Sequence, residues 1–285
     1  MIGALVALAA ACAAYGIWIE RSWYRVVRYR LDILPAGSSS LTVLHLSDLH
    51  FLRDDERKAR FLASLRQPDV AVVTGDFLAE PEAVEAAVAA VRPLRGRLAS
   101  WFVLGSNDYF VPKPLNYLEY FRKNRTRRIV RRGRAADLVR ALVDDGWADL
   151  TNVRHETALD GLPIELLGLD DAHISKHDLR VAPRSSPTRF GVAVMHSPDS
   201  APEAAALGYD LLFAGHTHGG QVRLPGIGAL VTNSSMPRRL VSGLIRMGSS
   251  VLHTSPGLGT GKYAPFRFWC RPEATLLELR PRASR

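Results

Sequence analysis

Short clusters of aspartate, histidine and glycine recur along this chain, each placed directly after an apolar run. They are Asp48-Leu49-His50, Gly75-Asp76, Gly105-Ser106-Asn107-Asp108 and Gly215-His216-Thr217-His218-Gly219-Gly220, with His196 closing a further run, Gly191 to Met195. Continuous apolar runs of this length belong to strands covered on both faces. The ends of such strands, where the backbone fans apart, are where ligand sites form in open α/β sheets. The pattern therefore constrains the chain to an α/β fold that gathers several strand ends at one place.

The spacing predicts strands at Leu41–Leu46, Val70–Thr74, Leu98–Leu104, Ile164–Leu169, Arg189–Met195, Leu211–Ala214, Val251–Thr254 and Ala274–Leu279. Helices are expected at Asp54–Arg66, at Pro81–Leu94 with its opening proline, and at Ala135–Asp145. Alternation of this kind argues for an α/β domain on a central sheet, spanning residues 41–282. Pro35 to Ser40 is rich in turn residues, and residues 21–40 as a whole are expected to be a juxtamembrane linker.

Ahead of the linker, Ile2 to Ile19 is uncharged and just long enough to cross a bilayer core, so residues 1–20 are expected to form a transmembrane anchor. Trp18, Trp23 and Tyr24 fall where an interfacial aromatic belt would lie. Arg21, Arg25, Arg28 and Arg30 follow the run and no Lys or Arg precedes it, the reverse of a secretory signal. The positive-inside bias then puts the catalytic domain in the cytoplasm, single-pass; a cleaved signal and export is the alternative. Two cysteines, Cys12 and Cys270, are poorly placed for a structural disulfide.

With 47% apolar and 23% charged residues the chain is globular rather than disordered, and its formal charge of +9 favours anionic partners. Much of that charge lies in a basic insertion at 113–134, with Arg122, Lys123, Arg125, Arg127, Arg128, Arg131, Arg132 and Arg134 behind Tyr117, Tyr120 and Phe121. An anionic membrane surface or lipid headgroup is the favoured partner. A solvated face comes second. Nucleic acid, stacked on the aromatics, is the weakest reading because no reader module accompanies them.

Asp48, Asp76, His50, His196, His216 and His218 supply carboxylate and imidazole donors, and Asn107 an amide oxygen. This mixed set suits manganese, iron or zinc better than calcium, and without thiolates it is unlike a structural zinc site. Asp-x-His alone is weak evidence, but all five elements in order after strands are not. Taken together they resemble the calcineurin-like metallophosphoesterase family, whose pattern is D-x-H, G-D, G-N-H-D or E, a lone His, and G-H-x-H. The likeness extends over roughly Leu41 to Leu279. Gly215 to Gln221 (G-H-T-H-G-G-Q) and Arg271-Pro272-Glu273 look like a bacterial membrane-associated branch containing phosphodiesterases and pyrophosphatases of nucleotide-linked lipids.

The resemblance implies a four-layer α/β/β/α sandwich and two divalent ions, manganese first and iron or zinc otherwise. Asp48, His50 and His218 would hold one ion, Asp76 would bridge both, and His196, His216 and an asparagine would hold the second. Asp76, Asn107 and His196 are the expected catalytic residues. Two cations about 3.5–4 Å apart lower the pKa of a bridging water and neutralise the phosphate oxygens, which implies hydrolysis of a phosphodiester or pyrophosphate.

The third cluster departs from the pattern. Aligned without gaps, Ser106 stands where the family has its asparagine, and Asn107 where it has the histidine that protonates the leaving group. Asn107 is expected to reach the second ion. Loss of a general acid costs about 10²–10⁴-fold when the leaving group needs a proton, so an activated diester or a pyrophosphate, lipid-linked or near the membrane, is the expected substrate. A metal-binding scaffold and a cyclic-nucleotide or nucleic-acid phosphodiesterase are the alternatives. His45 is expected to be a core histidine. His155, His173, His177 and His253 are expected to be structural or on the surface, and Gly257 to Lys262 a turn at the rim of the site. Asp170 and Asp171 either line the cleft or cap a turn.

Overall fold

The structure, a computed structural model, describes residues 1–111 and 132–283. In chain order the strands are β1 (Arg25–Leu34), β2 (Leu41–Leu46), β3 (Val70–Thr74), β4 (Ala99–Val103), β5 (Ala148–Asp149), β6 (Val153–Leu159), β7 (Leu162–Leu169), β8 (Phe190–Met195), β9 (Leu211–Ala214), β10 (Arg223–Leu224), β11 (Gly228–Ala229), β12 (Gly243–Met247), β13 (Ser250–Thr254) and β14 (Glu273–Pro281). They form one sheet of order β1-β14-β2-β3-β4-β5, a second of order β12-β13-β9-β8-β7-β6, and a small β10-β11 ribbon. Within the sheets β2, β3 and β4 run parallel, as do β7, β8 and β9.

Side chains alternate across each strand, and here both faces are buried. Val43, Val72 and Trp101 of the first sheet meet Leu166, Val192, Val194 and Phe213 of the second. The opposite faces, with Leu44, Val73 and Phe102 in one sheet and Leu167, Met195 and Leu212 in the other, are covered from outside. The helices α2 (Glu56–Ala63), α3 (Val84–Val91) and α5 (Ala135–Asp144) cover the first sheet, and α6 (Ala201–Ala206) the second. That double burial explains the uninterrupted apolar runs and gives the four-layer α/β/β/α arrangement. A single turn, α4 (Ser106–Tyr109), stands between β4 and the basic segment.

The N-terminal α1 (Ile2–Ala14) continues through a wider turn over Tyr15–Ile19 and a 3₁₀ turn over Glu20–Ser22. This 21-residue helical stretch is apolar and long enough to cross a membrane. Its outer part is exposed, but its inner end is bound into the body: the buried Glu20 carboxylate accepts from the backbone N–H of Trp269 at 2.9 Å and of Cys270 at 2.6 Å.

One expectation is overturned. Residues 21–40 are not a linker throughout, because Arg25–Leu34 pairs in parallel with β14 along nearly its whole length. Its period-two pattern, Val27-Arg28-Tyr29-Arg30-Leu31-Asp32-Ile33, is that of an edge strand with charges turned outward. Edge strands β6 and β12 and the short β5 lacked an apolar signature and were also missed. The helix expected over Pro81–Leu94 is α3 flanked by 3₁₀ turns at Pro81–Ala83 and Arg92–Leu94. Of the basic insertion 113–134, only Arg132, Gly133 and Arg134 are among the described residues, so its expected lipid contact falls outside them.

Candidate metal centre

The C-terminal ends of β2, β3, β4, β7, β8 and β9 converge. They deliver Asp48 and His50, Asp76, Asn107, Asp171, His196, and His216 with His218, in that order. Two groups of donors result. Asp48, His50, Asp76 and His218 place one ligand atom each within 4.8 Å of one another, and so do Asp171, His196 and His216. Asp76 joins the groups: its Oδ2 lies 3.5 Å from His50 Nε2 and its Oδ1 3.6 Å from His196 Nε2.

The loops hold these side chains against local preference. Asp48, His50, Asp76, His216 and His218 all have φ between +43° and +66°. Non-glycine residues avoid this region unless the surroundings over-determine it. Here they do: the Asp48 N–H donates to Gly75 O at 3.0 Å, His50 N–H to Asp76 O at 2.9 Å, and Gly259 N–H to Asp48 O at 2.6 Å. Gly105 allows the close approach of the third loop, since a Cβ there would collide with Asp76 Oδ1 and the His196 ring. Asp108 closes the frame, its carboxylate accepting from the N–H groups of Asp76 at 3.0 Å, Leu78 at 3.1 Å and Gly105 at 2.9 Å. Burial and the Asp76 charge push the Asp108 carboxyl up to about 8.

Partners outside the donor groups set which nitrogen of His196 and of His216 points inward. His196 Nδ1 faces Thr74 O at 2.6 Å, and His216 Nε2 faces Asn233 O at 3.1 Å, so each ring turns its other nitrogen to the centre. Ser47 Oγ at 2.6 Å and the His216 N–H at 2.9 Å both donate to Asp48 Oδ2. Asp48 Oδ1, His196 Nε2 and Asp171 Oδ2 remain buried without a partner. His50 Nε2 and His218 Nε2 sit 3.2 Å apart, and His218 Nε2 is 3.4 Å from Asp48 Oδ1. Buried polar atoms are paired almost everywhere in native proteins. A concentration of unpartnered inward-facing ligand atoms fits a cation, and the donor set fits a pair of them.

The charges agree. Burial holds the imidazoles of His50, His216 and His218 below the ordinary histidine range, so they are neutral and ready to ligate. His196 is the exception. Burial opposes its protonation, but the carboxylates of Asp76, Asp171 and Asp48 outweigh it and push the ring up to about 10. Burial raises Asp48, with Asp76 adding to it against the pull of His196. Asp76 is held far below the carboxylate range: burial works the other way, and the cationic His196, His50 and two bonds from Asn107 overcome it. Metal-free, the second group thus carries a proton on His196.

The structure brings together every donor named from the sequence. Asn107 directs its side chain at Asp76: its backbone N–H donates to Asp76 Oδ1 at 2.7 Å and its side-chain Nδ2 donates to Asp76 Oδ2 at 2.5 Å. Asp171 both caps a turn, its Oδ1 accepting from His173 N–H at 2.8 Å, and joins the second donor group. His173, expected to be structural or on the surface, has its ring centroid 4.6 Å from that of His216. Position alone could have flagged Asp171, because it follows a strand end as the other donors do. His45 is a core histidine, bonded to Thr74 Oγ1 at 2.9 Å and to His253 Nδ1 at 2.7 Å. Gly257 to Lys262 is a loop whose first residues pack on Asp48, and the buried Arg267 binds the carbonyls of Pro256, Gly257 and Gly259 from behind.

Comparison with known proteins agrees with this geometry. The family model for calcineurin-like phosphoesterases matches residues 41–220. The uncharacterized metallophosphoesterase YkuE of Bacillus subtilis is 24% identical, the match covering 98% of this chain and 95% of that one. Phosphodiesterase YaeI of Escherichia coli is 26% identical, over 93% of this chain and 92% of that one. The UDP-2,3-diacylglucosamine pyrophosphatase LpxG of Chlamydia trachomatis is 26% identical, over 96% and 95%. With the family model matching residues 41–220 and a candidate dinuclear site gathered at the strand ends, this protein belongs to the calcineurin-like phosphoesterase family of metal-dependent enzymes.

Proposed function

We propose that the chain hydrolyses a phosphodiester or pyrophosphate bond, using Asp48, His50 and His218 to hold one divalent ion, His196, His216 and Asn107 to hold a second, and Asp76 to touch both. The observation that carries this reading is the split engagement of Asp76, one carboxylate oxygen facing each donor group. When bound, such an ion pair supplies Lewis acidity and an activated water. The protein's own residues do the rest. Thr74 O and Asn233 O fix the tautomers of His196 and His216, and Asp108 clamps the loops that carry Asp76 and Asn107. The donor chemistry suits manganese, with iron or zinc as alternatives.

At position 107 the amide is engaged with Asp76, and no imidazole from that motif stands ready to protonate a leaving group. This favours substrates whose leaving group is stable as an anion, an aryl or pyrophosphate-linked one. The likeness to LpxG and the tie between the apolar N-terminal helix and the site support a lipid-linked or membrane-proximal substrate, and a place in the membrane-associated branch. That tie runs from Glu20 to Cys270, whose Sγ lies 3.3 Å from His218 O. We read the helix as an uncleaved anchor and the arginines after it as cytoplasmic.

A manganese-dependent screen across aryl diesters, alkyl diesters and nucleotide-diphosphate-linked lipids tests the activity, with Asp76→Ala as control. Equal rates on aryl and alkyl diesters remove the basis for an activated leaving group. No metal-dependent turnover on any of them, in a protein that still binds metal, favours the scaffold reading. Protease protection in right-side-out vesicles tests topology: digestion of the main domain from outside sinks the cytoplasmic assignment.

A further inference from the structure

We infer that Asp171 is a ligand of the second ion, a carboxylate that joins His196, His216 and Asn107 in a centre where Ser106 replaces the family's motif asparagine. This rests on the dinuclear reading above and adds to it a residue that no motif names.

The argument begins with the strands. Three parallel strand ends from each sheet surround the centre, and those after β2, β3, β4, β8 and β9 each carry a motif residue. The sixth, after β7, carries Asp170 and Asp171. Asp171 is fully buried, and its two oxygens have different fates. Oδ1 caps the turn at His173 N–H, whereas Oδ2 is buried with no hydrogen-bond partner. A buried carboxylate oxygen without a partner is costly unless a cation meets it. Its neighbours are the second donor group, with ligand atoms of His196 and His216 within 4.8 Å. Nor is Asp171 required to orient those rings, because Thr74 O and Asn233 O already engage their outward nitrogens.

The charge balance gives the substitution a chemical meaning. With Asp171, each half of the centre has two imidazoles and two carboxylates, counting Asp76 in both. An added anionic oxygen binds a divalent ion more firmly than an amide and moves the site toward harder ions such as manganese. A serine hydroxyl at position 106 would not supply that charge.

The test uses the full-length protein in detergent, loaded with Mn²⁺ and passed through a desalting column. Wild type, Asp171→Asn and Asp171→Ser are compared, since Asn and Ser both keep an oxygen for the His173 cap. Wild type is expected to retain about two ions per chain and show the exchange-coupled Mn–Mn signal by electron paramagnetic resonance. The Ser variant is expected to retain about one and lose the coupled signal, and the Asn variant, whose amide oxygen can still ligate, to bind the second ion at least ~10-fold more weakly than wild type. Folded variants that keep both ions at wild-type affinity overturn the role of Asp171 and leave the dinuclear reading standing. A wild type that holds no ion overturns that reading itself.

Discussion

In the half of the site built by Asp48, His50 and His218, every donor stands on a left-handed residue in a loop leaving β2 or β9; in the half built by Asp171, His196 and His216, only His216 does. The first half stores backbone strain, and backbone hydrogen bonds between neighbouring loops hold it in place. The second half, His216 apart, sits on relaxed backbone but concentrates charge, with His196 surrounded by Asp76, Asp171 and Asp48. One half is thus preformed by geometry and neutral imidazoles, while the other is assembled by electrostatics and guarded by a proton. The two should differ in how firmly, and at what pH, they take up an ion.

Asp76 belongs to both halves, so its loss should erase the contrast. Asp76→Ala is expected to lower metal content toward zero and turnover by more than about 10³-fold; one firmly retained ion would show that the halves are independent. Asp108 belongs to neither donor group yet ties the loops after β3 and β4. Asp108→Ala leaves three buried N–H groups unpaired and is expected to cost about 3 kcal/mol in denaturant unfolding, with the second ion lost before the first.

The proton on His196 sharpens the comparison. Its pKa near 10 in the metal-free fold exceeds the unfolded value of about 6.5. Its contribution to metal-free stability is therefore full below about pH 6.5 and disappears as pH rises through 10. Metal uptake runs the opposite way, because the proton must leave first. Affinity of the second ion is expected to rise about tenfold per pH unit between pH 7 and 9, against a much flatter dependence for the first, as read by calorimetry at each pH. Equal slopes for both ions would remove the distinction. The smallest effect should come from the far end of the chain. Glu20→Ala removes a charged acceptor of two backbone N–H groups and is expected to cost about 2 kcal/mol without changing metal stoichiometry.

Much of this was open to reading before any coordinates. Apolar runs ending in Asp-x-His, Gly-Asp and Gly-His-x-His located the strands on which the donors sit, since strands buried on both faces allow few polar residues. The first half of the site was legible for that reason: Asp48 and His50 stand two residues apart, a spacing that a single loop can present to one point, whereas His216 and His218 at the same spacing divide between the two groups. Asp171 was harder to see. Asp-Asp at a strand end also suits a turn cap, and Asp171 does both with different oxygens. The strand Arg25–Leu34 was hidden by its own arginines, because an edge strand of a sheet and the charged flank of a membrane helix share a composition.

What the sequence determined unaided was the kind of chemistry: which donor types exist, in what order, and that buried strands end beside them. Only the tertiary structure decided that one carboxylate oxygen of Asp76 faces each donor group, that Asn107 reaches Asp76, and that Asp171 shares a centre with His196 and His216. Those answers depend on the packing of one sheet against the other, which sets loops from distant parts of the chain side by side. Local spacing carries no information about that distance, and the hydrogen bonds that aim each ring come from residues such as Thr74 and Asn233 with no motif of their own.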